Sequence, residues 1–168
     1  VGVDALKANT TGGNAVAVGA GALESVTTVH RNTAVGSMAL RFNIGGHNIA
    51  VGKGAMNGEF VEGVGALSDS ERCTAIGILS QEKCFEGHQN TSVGYRALQS
   101  CDEGENNVAV GVNCGRLVDS GDNNTFVGAL CGNKITSGTN NIFIGFGAGG
   151  DAQPSDSDRI IIGNNNVT

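Results

Sequence analysis

Apolar residues in this chain come in threes, and each three ends at a glycine. Asn140-Asn141-Ile142-Phe143-Ile144-Gly145 is the fullest form; Asn123–Gly128 and Asn106–Gly111 repeat it, and Asn32-Thr33-Ala34-Val35-Gly36 is a shorter version. Taking that glycine as an anchor, copies fall at Gly2, Gly19, Gly36, Gly52, Gly63, Gly77, Gly94, Gly111, Gly128, Gly145 and Gly163, with spacings of 17, 17, 16, 11, 14, 17, 17, 17, 17 and 18. A fixed period of this size decides the fold, because one unit cannot bury its apolar side alone and must stack on the next. The triplets are short, often β-branched and bounded by Asn and Gly, which marks strands. The pattern predicts an all-β protein, a parallel β-roll or β-solenoid with coils of about 16–17 residues. It runs through 1–168 as one repeat domain, with a second short strand expected after each anchor glycine.

The polar positions are periodic as well. A glycine recurs seven residues before the anchor, at Gly12, Gly45, Gly87, Gly104, Gly121 and Gly138, and marks the turn between coils, where Gly supplies φ > 0. Four before the anchor stands Asn32, Asn48, Asn90, Asn107, Asn124 or Asn141. Stacked in register, these amides either form a ladder from coil to coil or each cap their own turn. Residues 57–89 break the rhythm: Glu62 stands where an apolar residue should precede Gly63, and 80–89 is strongly polar. An irregular coil is the simpler reading, and a binding excursion the other.

Within a triplet, alternate residues point to opposite sides. The middle members run Ala17, Ala34, Ala50, Ala75, Ser92, Ala109, Phe126, Phe143 and Ile161, almost all apolar. If the first and third members face the chain's own interior, the middle ones need a partner to cover them. That reading predicts a homotrimer, intertwined or side by side, with Ala109, Phe126, Phe143 and Ile161 on its axis; a dimer would cover the same face.

Composition narrows the function. Gly is 28 of 168 residues, Pro 1, Trp 0 and aromatics 4%, which suits narrow stacked layers better than a globular core. A formal net charge of −6 without a basic cluster disfavours nucleic acid, and no apolar run suits membrane insertion. The five cysteines are odd in number and follow no zinc spacing. Cys114 and Cys131 replace an alanine three residues after the anchor, so they read as small buried hydrophobes. A disulfide between them is geometrically open, but reduced thiols fit better. The densest acids, Asp102, Glu103 and Glu105, read as a solvated turn, and His30, His47 and His88 as turn histidines. No phosphate loop, metal set or nucleophile elbow is present, so no cofactor, metal or catalytic residue is expected.

The phrase Asn-Thr-Ala-Val-Gly-x-x-Ala-Leu at 32–40 resembles the head repeats of YadA-like trimeric adhesins, which form left-handed parallel β-rolls. The longer form at 121–128 and 138–145 is similar to repeats in tail fibres and appendages of bacteriophages and other large DNA viruses. In those fibres an ending like Asp158-Arg159-Ile160-Ile161-Ile162-Gly163-Asn164 is often followed by a self-cleaving intramolecular chaperone. The resemblance implies a fragment of a longer, non-enzymatic trimeric fibre on a virion surface: a rigid spacer or adhesive segment that meets a host glycan or protein receptor. Two alternatives stay open, a bacterial trimeric autotransporter adhesin head on the cell surface and a polysaccharide-degrading tailspike. An ice-binding solenoid needs a flat outward array of threonines, and Thr33, Thr74, Thr91 and Thr125 are expected to point inward.

Overall fold

A computed structural model describes residues 1–28, 30–58, 60–61, 65–66 and 68–164. Nine three-residue strands stack into one parallel sheet of about eight turns: β1 (Val16–Val18), β2 (Thr33–Val35), β3 (Ile49–Val51), β6 (Thr74–Ile76), β7 (Thr91–Val93), β8 (Val108–Val110), β9 (Thr125–Val127), β10 (Ile142–Ile144) and β11 (Ile160–Ile162). Register is strict, so Ala109 lies over Phe126 and Phe126 over Phe143. At about 4.8 Å per rung the rod is about 40 Å long, shorter than eleven coils would give. Gly63 lies outside the described residues; the sheet passes directly from the coil of Gly52 to that of Gly77, pairing Ile49 with Thr74. Between them, β4 (Phe60–Val61) and β5 (Gly65–Ala66) pair antiparallel as a small hairpin. The irregularity is therefore narrower than 57–89, because Asp69 N–H already donates to Phe85 O and Gln89 N–H to Glu71 O in ordinary coil register. Buried Asn43 donates to Ser68 Oγ at 3.1 Å, fixing the point where the chain returns.

Among the described residues each regular coil has one strand, not two. The segment after the glycine turns because it carries two left-handed residues, at the second and fourth positions: Met38 and Leu40, or Arg96 and Leu98, with φ between 47° and 61°. The anchor glycines are obligatory on two counts. Gly111 has φ 142°, and a Cβ there would lie 2.5 Å from the Gly128 carbonyl oxygen. The glycines seven before the anchor have a different role from the one their turn position suggests. Gly104 and Gly121 have ordinary φ, and it is space that they provide: a Cβ would meet the next coil's carbonyl at 2.6 and 2.4 Å. The positive φ belongs to the residue just before the asparagine slot, as at Asn106, Asn123 and Asn140, all at 57°.

The asparagines form a ladder. Asn124 Oδ1 accepts the Asn141 N–H at 3.0 Å, and Asn124 Nδ2 donates to Gly138 O at 2.8 Å, satisfying the turn of the next coil. Asn107 does the same one rung earlier. Cys73 occupies this slot in its coil: its thiol donates to Gly87 O and its sulfur accepts the Asn90 N–H. Asn124→Ala strands a buried donor and a buried acceptor, each costing about 1–3 kcal/mol. A fall in Tm well beyond that of Lys134→Ala, an exposed change, is the expected result in thermal melts.

The core lies inside the single chain, and this corrects the sidedness read from the triplets. Ala109, Phe126 and Phe143 are 0% exposed in the lone chain, while the residues on either side of them face outward. Ile161, on the last strand, is half-buried against the same core. Ala109, Phe126 and Phe143 fill the coil and Ile161 packs against them, so this side of the triplets is covered within one chain. The reason is volume. The first three coils, each with a middle alanine, carry a buried Leu23, Leu40 or Met56 four residues after the anchor, whereas the coils of Phe126 and Phe143 carry Gly132 and Gly149 there. Of the later alanine coils, that of Ala75 carries Gln81 and that of Ala109 carries Gly115, where a Cβ would lie 2.9 Å from the Phe126 ring of the next coil. A Cβ at Gly132 would sit 2.6 Å from the Phe126 ring, and one at Gly149 2.4 Å from that of Phe143. The two rings stack at 5.4 Å, tilted by 43°. A polar layer interrupts the apolar core midway: Ser80 Oγ and Ser92 Oγ are 2.5 Å apart, and Gln81 Nε2 donates to Ser92 Oγ at 2.8 Å.

Candidate functional site

With the middle residues inside, the first and third members of every triplet form the outer surface of the sheet. The first rank reads Val16, Thr33, Ile49, Thr74, Thr91, Val108, Thr125, Ile142, Ile160; the third reads Val18, Val35, Val51, Ile76, Val93, Val110, Val127, Ile144, Ile162. Every member is exposed or half-buried, and none is charged. Val110 is 38% and Ile144 39% exposed. This gives a flat apolar strip about 40 Å long and roughly 10 Å wide, at the upper end of what a monomer leaves in water. Thr33, Thr74, Thr91 and Thr125 therefore point outward, contrary to expectation. Their hydroxyls are confined to one rank, because the other is wholly Val and Ile, so a two-rank threonine array is not formed among the described residues.

The polar edges hold structure together and do not converge on chemistry. His30 Nδ1 accepts the Gly13 N–H at 3.0 Å, and His88 Nδ1 accepts the Glu71 N–H at 3.1 Å. Asp122 Oδ1 takes the equivalent Glu105 N–H at 2.8 Å. His47 Nε2 lies 3.0 Å from Arg31 Nη1. These side chains close the seam between coils. The Asp102 carboxyl is raised above its ordinary value, first by partial burial and then by the neighbouring Asp119 and Glu103 carboxylates. No group of three or more His, Cys, Asp or Glu among the described residues is arranged to hold a metal ion.

All five cysteines are free and buried. Cys114 and Cys131 do occupy the alanine slot, donating to the carbonyls of Phe126 and Phe143 at 3.3 and 3.1 Å. Cys84 and Cys101 stand elsewhere, in a column shared with Val26, Val118 and Ile135 on the far side of the coil. Burial and the adjacent Cys84 thiol raise Cys101 well above the ordinary thiol range, with the contact between the two thiols the largest cause. Such groups are packing elements.

One described pocket, of about 260 Å³, brings Thr28, His30, His47 and Glu71 to its lining, but His30 Nδ1 already accepts the Gly13 N–H and His47 Nε2 lies against Arg31 Nη1, so these side chains serve the seam. Another, of about 320 Å³, lies against the last strand between Asp151, Arg159 and Ile161. Among the described residues, the surface that calls for a function is the outward apolar strip, whose residues the sequence assigns to the interior. In comparisons with protein-family models, with curated proteins and with solved structures, no match to this chain is found.

Proposed function

We propose that this chain is a structural and adhesive segment of a trimeric fibre or appendage, in which the outward strip of each copy packs against the other two. The observation that carries this reading is the strip itself: eighteen outward positions on nine rungs, all Val, Ile or Thr. Left in water, a face of this kind is an aggregation site. Covered by copies of itself it becomes a second core, and its lack of charge suits that use, since parallel copies about an axis set each residue near its own counterpart. A stack of coils whose interior is filled and whose turns are hydrogen-bonded from rung to rung makes a rigid spacer. The same commitment of residues argues against hydrolase, lyase or transferase activity. The resemblance of the Asn-Asn-x-Phe-x-Gly phrase to viral fibre repeats supports a place on the virion surface, where a glycan or protein receptor on a host would be met.

The test separates the two sides of the sheet. Val110→Asp with Ile144→Asp places charges only on the outward strip, so the expected product is a folded monomer with an unchanged β spectrum. A trimer that tolerated both charges would overturn the reading. Release of new reducing ends from bacterial or algal surface polysaccharides would overturn the non-enzymatic part.

A further inference from the structure

The strip is not uniform along the rod, and we infer that copies of this chain make their widest contact over its C-terminal half and join there first. This rests on the reading that the strip packs against other copies. The position just after the anchor glycine lies two residues beyond the third rank and continues its outward side. On the first three rungs it holds Ala20, Ser37 and Lys53; on the next five it holds Ile78, Tyr95, Val112, Ala129 and Phe146, and on the last Asn164. These are not incidental apolar residues under loops: Ile78 is 49% exposed, Val112 48% and Phe146 65%. The strip thus has two apolar columns near the N-terminus and three near the C-terminus.

The N-terminal flank is built for water instead. Arg41 Nε donates to Glu24 Oε2 at 2.6 Å beside Met38, and the Lys53 side chain stands out from the coil of Gly52. In a parallel assembly about an axis, Lys53 of one copy would approach Lys53 of the others, so the chains cannot close on that flank without setting like charges together. Val112 and Phe146 meet only their own kind. Identical chains of net charge −6 repel at a distance, so the first stable contact forms where apolar area is greatest. The occupant of this flank is a second copy of the chain in the same direction and register. The column changes in one step between Ile78 and Lys53, and a copy of the chain in the same register meets that change with its own.

The experiment uses two double variants of the full chain, Val112→Asp with Phe146→Asp and Ala20→Asp with Ser37→Asp, in sedimentation equilibrium over a wide concentration range. All four sites lie at the surface, so circular dichroism should show the coils intact. The expected result is a trimer dissociation constant raised at least about a hundredfold by the C-terminal pair and less than about tenfold by the N-terminal pair. Equal shifts, or a larger shift from the N-terminal pair, in a chain whose wild type is trimeric would overturn this inference alone. A wild type monomeric at every concentration would overturn the inference and the underlying reading together.

Discussion

Gly111→Ala is expected to break the stack at its middle. The residue has φ 142°, a region that side chains other than hydrogen disfavour, and the new methyl would lie 2.5 Å from Gly128 O and 2.6 Å from Gly128 C. Both obstacles are backbone of the next rung, held by the Gly128 N–H donating to Val110 O at 2.8 Å, so no rotamer change relieves them. Backbone strain of this kind costs about 1–3 kcal/mol and overpacking about as much again. Together they lower Tm on the order of 10 °C for a chain of this size. Gly147→Ala is the matched control. Its φ is 64°, nothing lies within 4 Å of the added methyl, and the same position holds Met38, Arg96 or Leu130 in other coils. Its melting curve should stay close to the wild type's. Equal losses from the two substitutions would mean that the stacked glycines do not govern rung spacing.

The second large effect is a rescue. Phe143→Ala empties a core position that is 0% exposed and should cost about 3–5 kcal/mol. Gly149→Leu alone should also destabilise, because its Cβ would lie 2.4 Å from the Phe143 ring. Combined, the two changes recreate the alanine-plus-leucine layer of the N-terminal coils, where Leu23 and Leu40 sit at the equivalent position with φ 52° and 51°. The double variant should regain most of the loss, giving a coupling of at least about 2 kcal/mol in a double-mutant cycle. Additive losses would show that the two positions do not share one volume.

That shared volume also explains what the sequence left ambiguous. The period, the strands, the anchor glycines and the asparagine slot are all legible, because each repeats at a fixed offset. Alternation divides a triplet into two sides but does not say which is inside, and here both sides are apolar. The deciding signal is covariation. In the first three coils middle Ala goes with Leu23, Leu40 or Met56, and middle Phe goes with Gly132 or Gly149; between adjacent coils, Ser80 and Gln81 go with Ser92, and Gly115 leaves room for the Phe126 ring. An interior column must trade volume and polarity with the column that faces it. The Val, Ile and Thr of the first and third ranks trade with nothing, as an outer face does.

Two other misreadings have local causes. The 25-residue interval between Gly52 and Gly77 looks like two short coils, because Gly63 mimics an anchor. It is one coil with an antiparallel hairpin inserted, leaving near Gly58 and returning at Ser68. The polar pair Asn43 and Ser68, buried where Val26 or Val118 stand in regular coils, was the available sign of that junction. The positive φ was placed on the turn glycine although the first Asn of each Asn-Asn pair carries it, as at Asn123. Asn tolerates the left-handed region through its own short polar side chain, so the Asn-Asn doublet divides its work: the first turns the chain and the second builds the ladder.

The mass of the unmodified chain in solution tests the central claim most directly. One chain weighs 16.9 kDa, and sedimentation equilibrium at micromolar concentration should report about three times that mass, with the Val110→Asp, Ile144→Asp variant falling to a single chain. A wild-type mass of one chain across the same range would contradict the claim that the outward strip is covered by copies of itself.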